Sequence, residues 1–133
     1  MKERWFDRWA LAAFLLPMAL YLTTLAPSVT TQDSGEFMTA IAYLGSAHSP
    51  GYPLFILFAK PFTWLPFGSF ALRVNLATAV SAALLPVVVL WLLRALHRRW
   101  NLLFHLPSDH WAISLTGLSA GLLLATSPRL WVQ

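Results

Sequence analysis

The chain has 133 residues, of which 58% are hydrophobic and 11% charged, with a net charge of +4 and a mean hydropathy of +0.63. Soluble domains carry about 25% charged residues, so this composition excludes a domain folding alone in water and points to an integral membrane protein. No cysteine is present, which removes disulfides and thiolate sites, and the nine Lys and Arg are dispersed beside apolar runs rather than gathered on a nucleic-acid-binding face.

Three windows free of charge are long enough to cross a bilayer: residues 9–26, 74–93 and 111–128. At 1.5 Å per residue each reaches roughly 27–30 Å, the depth of a hydrocarbon core. The expected fold is therefore all-α and membrane-integral, with three transmembrane helices in a single domain. The first window also fits a signal peptide, although Pro27-Ser28-Val29 makes a poor cleavage site. Pro17 and Pro86 fall inside spans and predict kinks. Lys2, Arg4 and Arg8 precede the first span, and Arg94, Arg98 and Arg99 follow the second, whereas only Lys60 and Arg73 lie between them. The positive-inside rule then places the N-terminus and a linker over residues 94–110 in the cytoplasm, with residues 27–73 outside.

The outward segment is long and apolar. Phe37, Ile41 and Leu44 recur at helical spacing, with Ala40 on the same side, and predict a helix over residues 36–44. Residues 45–51 are dense in turn formers. Residues 52–65 are strongly apolar but too few to span, and they carry Pro53 and Pro61. The segment reads as two short helices parallel to the membrane surface, joined by a tight loop.

Asp33 and Glu36 are the only charged side chains between Trp9 and Ala59. Their spacing fits a capping box at a helix start. It equally fits paired carboxylates able to act as a base or to hold a divalent cation. His48, before Ser-Pro-Gly, reads either as a turn residue or as a contact for an anionic phosphate. Arg73 reads as a snorkelling anchor for the second span or as a phosphate-binding fork, and Lys60 as an interfacial snorkeller. Sequence alone leaves metal dependence open. No nucleotide-binding or hydrolase motif is present.

Three motifs in order carry a resemblance: LAPSVTTQDSGEF (25–37), LGSAHSPGYPL (44–54) and LPFGSFALRVNL (65–76). They resemble a bacterial family of multi-spanning membrane proteins of unknown function that is similar to the protein O-mannosyltransferases of the GT-C superfamily. The resemblance implies an inverting glycosyltransferase of the bacterial inner membrane, taking a mannose-like sugar from a polyprenyl-phosphate donor to an unknown acceptor on the outer face. It implies no nucleotide cofactor, because the lipid-linked donor is already activated. Asp33 matches the essential acidic position. Glu36 joins it as a candidate catalytic carboxylate, and His48 and Arg73 match positions suited to phosphate contact. Relatives run on past Gln133, so the chain reads as the N-terminal part of a longer enzyme. The competing readings are a transporter or channel component, against which no span carries a central ionisable residue, and a non-catalytic membrane subunit.

Overall fold

The computed structural model describes residues 8–30, 33–104 and 110–127. Within them the chain is all-helical: α1 (Arg8–Thr24), α2 (Ser34–Tyr43), α3 (Pro53–Ala59), a 3₁₀ helix (Lys60–Trp64), α4 (Phe70–Phe104) and α5 (His110–Ala125). One helix, α4, is long and apolar enough to cross a membrane. Among the described residues the three expected spans are met by this one and by two shorter apolar helices, α1 with 17 residues and α5 with 16. Those lengths give about 24–26 Å, short of a core of about 30 Å. Prolines set the stops: the residue before a proline resists the helical region, and Pro27 and Pro128 each follow shortly after the last helical turn. Conversely, α4 begins ahead of the expected span and continues beyond it, so residues 94–104 of the expected linker are helical.

The chain divides into two compact units. In one, residues 8–20 and 82–127, the core is Ala10, Ala13, Val87 and Leu90, with Trp9, Phe14, Trp91 and Leu118 packed on it. Here α5 approaches α4 through two glycines four residues apart, Gly117 against Leu90 and Gly121 against Pro86. A Cβ on Gly121 would sit 2.8 Å from Pro86 Cα, closer than side chains come. Small residues of this kind let helix backbones meet. The same pair of helices is joined by Arg94, whose Nη2 donates to the buried Ser114 hydroxyl at 2.8 Å.

The second unit, residues 21–81, carries the outward segment. Its core is Met38, Ala40, Ile41, Ala47, Ile56, Ala59, Ala71, Val74 and Ala77. Ile41 is wholly buried, a burial that contributes about 1.5–3 kcal/mol. Met38 takes the inward place that the spacing assigned to Leu44, because Leu44 ends α2 in the left-handed conformation (φ 52°) and turns outward. Gly45 N–H then donates back to the Ala40 carbonyl (2.8 Å), closing the helix end. The next free carbonyls of α2, on Ile41 and Ala42, accept from Lys60 Nζ at 3.1 and 2.6 Å. Lys60 is thus a C-terminal cap for α2 and not a snorkelling residue. The negative end of a helix favours a cation at that place.

The second apolar segment forms two pieces for a simple reason. Pro61 has no N–H to continue an α-helical ladder, so α3 gives way to the tighter 3₁₀ turn at Lys60. Ser69 then starts α4, its hydroxyl accepting from Leu72 N–H (3.1 Å) while donating to the Pro27 carbonyl (2.7 Å). Asn75 Nδ2 donates to the carbonyls of Ala26 (2.9 Å) and Ser28 (3.2 Å), so the segment after α1 is tied to the start of α4.

Candidate functional site

The start of α2 and the loop of residues 45–52 bring three side chains together. Asp33 immediately precedes α2, Glu36 lies in its first turn, and His48 reaches them from the loop. One ligating atom from each lies within 4.8 Å of the others. Glu36 Oε2 is 3.0 Å from His48 Nδ1, and its Oε1 accepts the His48 backbone N–H. An ionised carboxylate only accepts, so the Glu36 contact puts the imidazole proton on Nδ1 and leaves Nε2 facing away from Glu36. Both side chains of the pair are more than two-fifths exposed, and exposed pairs contribute about 0–1 kcal/mol. The pair orients groups more than it stabilises the fold.

The capping box expected of Asp33 and Glu36 does not form. Asp33 precedes the helix with φ −82° and ψ 6° and makes no side-chain cap bond. A capping residue lies in the extended region, which those angles leave. Glu36, the would-be reciprocal partner, is held by His48 instead. The hydroxyl of Ser34 donates to the Thr30 carbonyl at 2.6 Å. Asp33 therefore presents a carboxylate with no hydrogen bond among the described residues, beside a Glu–His pair. Two carboxylate oxygens and an imidazole nitrogen are also a donor set suited to a divalent transition-metal ion.

Arg73 is not part of this group. Its Nε donates to Phe67 O (2.9 Å), Nη1 to Thr63 O (2.8 Å) and Nη2 to Gly68 O (2.9 Å). The guanidinium gathers the turn between the 3₁₀ helix and α4, and no bond joins it to Asp33, Glu36 or His48. A fork that matches phosphate oxygens matches converging carbonyls equally well.

Phe37, His48 and Tyr52 form a closed aromatic triangle that sequence reasoning missed. Their ring centroids lie 5.7 Å (Phe37–His48), 5.2 Å (Phe37–Tyr52) and 5.6 Å (His48–Tyr52) apart, all edge-to-face. Phe55 adds a fourth ring at 5.9 Å from Phe37. Each such pair contributes about 0.5–1.5 kcal/mol beyond area burial. Tyr52 reaches the triangle from a left-handed backbone (φ 48°, ψ 47°), directly after Gly51 at φ 90°. A bulky residue there costs about 1–3 kcal/mol. The signal that could have found it is Tyr52 itself, an aromatic residue between a glycine and a helix-starting proline.

A family model described as the N-terminal domain of protein O-mannosyl-transferase TMEM260 matches residues 33–133. The chain belongs to this family. The match begins at Asp33 and takes in Glu36, His48 and Arg73, so every candidate site residue lies in the TMEM260 N-terminal domain. Protein O-mannosyl-transferase TMEM260 of Mus musculus is 48% identical over 83 residues, covering 59% of this chain. The chain spans 12% of the length of that curated relative. Its relative being a mouse protein, the likeness is not confined to bacteria, as the motif resemblance alone suggested. No solved structure matches the chain.

Proposed function

We propose that this chain is the site-bearing N-terminal part of a membrane glycosyltransferase that moves a mannose-like sugar from a polyprenyl-phosphate donor to an acceptor hydroxyl. The family match and the name of the mouse relative support transfer of mannose to protein. The observation that carries the assignment to this site is the Asp33 carboxylate, without a hydrogen bond among the described residues, beside the Glu36–His48 pair. In the proposed step Asp33 takes the proton of the acceptor hydroxyl, and the oxygen attacks the anomeric carbon. The bond from that carbon to the donor phosphate breaks on the opposite face, and the phosphate leaves with the electron pair, giving inversion. Glu36 holds His48 at Nδ1, so that the imidazole, when protonated on both nitrogens, turns an Nε2–H donor to a phosphate oxygen.

The proposal sets residues 27–73 on the outer face of a cell membrane and the N-terminus inside, with α1 and α5 as shorter spans beside α4. The lysine and arginine asymmetry supports this orientation. The exposed apolar side chains of Leu54, Leu57 and Trp64 support a resting place for α3 and the 3₁₀ helix at the membrane interface.

The test is Asp33→Asn in the full-length protein, with normal expression and melting temperature confirmed first. Asparagine keeps the size of the side chain but accepts no proton, and Asp33 makes no cap bond to lose. Loss of a base costs about 10²–10⁴-fold in rate, read as sugar transferred from the lipid donor to an acceptor peptide. Transfer within a few-fold of wild type removes Asp33 from the mechanism.

A further inference from the structure

We infer that Tyr52 is a positioning residue for the acidic site: its ring wedges the His48 imidazole into register with Glu36. The consequence for transfer rests on the function proposed above, whereas the geometry stands apart from it. His48 is 42% exposed at the side chain, so dense packing does not fix its ring. Its Nδ1 faces Glu36, and the ring contacts around it are Phe37 and Tyr52. Phe37 follows Glu36 on α2, so it moves with that helix. Tyr52 comes from the same loop as His48 and closes the triangle from the far side.

The backbone is bent to bring it there. A residue before proline is normally extended, yet Tyr52, preceding Pro53, is left-handed, and Gly51 before it is as well. In this conformation the Tyr52 ring lies 5.6 Å from the His48 imidazole. The turn is held on both sides of the unfavourable residue: Gly51 N–H donates to the His48 carbonyl (2.7 Å), and Ile56 N–H to the Tyr52 carbonyl (3.1 Å). The loop is therefore shaped to deliver one ring to one imidazole. Without that ring the imidazole can rotate away from Glu36, and neither ring nitrogen keeps a fixed place in the site.

Three variants of the full-length protein separate positioning from mere stability: Tyr52→Phe, Tyr52→Ala and Tyr52→Gly. Glycine removes the left-handed penalty together with the ring, so it should melt higher than alanine. Nitrogen-15 spectra of labelled histidine report which ring nitrogen of His48 carries the proton, with His48→Gln assigning the signal and Glu36→Gln showing the unpaired pattern. Wild type and Tyr52→Phe are expected to hold the proton on Nδ1, whereas Tyr52→Gly and Tyr52→Ala move towards the Glu36→Gln pattern. Misplacing a reacting group by about 1 Å can cost 10²-fold, so sugar transfer should fall about 10- to 100-fold in both and recover with phenylalanine. A Tyr52→Gly protein with the wild-type nitrogen signature overturns the inference. If the signature changes as expected but the wild-type protein transfers no sugar, the transferase reading fails and the positioning role stands.

Discussion

Glu36→Gln separates holding the fold together from arranging the site. The substitution keeps the shape of the side chain and one acceptor oxygen, so the His48 backbone N–H can still be satisfied. It removes the charge and replaces the oxygen at 3.0 Å from His48 Nδ1 with a group that can donate. Both partners are more than two-fifths exposed, and an exposed ion pair contributes about 0–1 kcal/mol. Glu36 also lies in the first turn of α2, where a negative charge interacts with the helix dipole by about 0.3–1 kcal/mol. Together these limit the loss of stability to about 2 kcal/mol, a drop of several degrees in melting temperature at most. The effect on chemistry is expected to be larger, because the imidazole loses the carboxylate that orients it and pairs with its doubly protonated form: transfer should fall at least about tenfold. The assay pairs a thermal melt in detergent with turnover of the lipid-linked donor by the full-length protein. A melting temperature lowered by tens of degrees with a proportionate loss of folded protein would make Glu36 a structural staple and refute the argument. Unchanged turnover would refute it from the other side.

Two further outcomes follow from packing. Gly121→Ala forces a Cβ to 2.8 Å from Pro86 Cα, an overpacking cost of about 1–3 kcal/mol set against about 1 kcal/mol gained in helix propensity. The melting temperature should fall, whereas Gly35→Ala, whose Cβ meets only Val29 Cγ1 at 3.9 Å among the described residues, should raise it. Lys60→Ala strips the cap from Ile41 and Ala42 and should cost about 1.5–3 kcal/mol, with faster hydrogen exchange confined first to the C-terminal turn of α2.

Local signals carried well into the fold where one segment decides its own structure. The helical spacing around Ile41 and the run of turn formers at residues 45–51 placed α2, the loop and the second short helix within a residue or two. They failed where a distant group competes for a local one. Asp33 and Glu36 have capping-box spacing, but Glu36 is captured by His48 from twelve residues away. Lys60 and Arg73 read as chains reaching for a polar surface or a phosphate, yet each finds carbonyls freed by a neighbouring helix end or turn. The contact of His48 with Glu36 was not legible in the spacing, since it joins residues twelve apart across a turn, and no spacing rule predicts that Tyr52 accepts a left-handed conformation. The length of α4 was underestimated because charge-free windows stop at Arg73 and Arg94, whereas a helix does not.

The distribution of charge within residues 21–81 narrows what the site can do. It holds four charged residues and one histidine: Asp33, Glu36, Lys60, Arg73 and His48. Lys60 caps α2, Arg73 gathers the turn before α4, and Glu36 holds His48. Among the described residues, the side chain of Asp33 alone of these has no hydrogen-bond partner. On the proposed reading this arrangement favours drawing a proton from a neutral hydroxyl, because the group left free among them is a base. It is poorly provided for the charge that develops on a departing phosphate, since both cations are engaged with backbone carbonyls and transition-state anions need donors aimed at them. In the proposed reaction His48 supplies one such donor only when protonated on Nε2 as well as Nδ1. On the proposed reading, residues 21–81 supply the base, and the stabilisation of the departing phosphate comes from groups outside them.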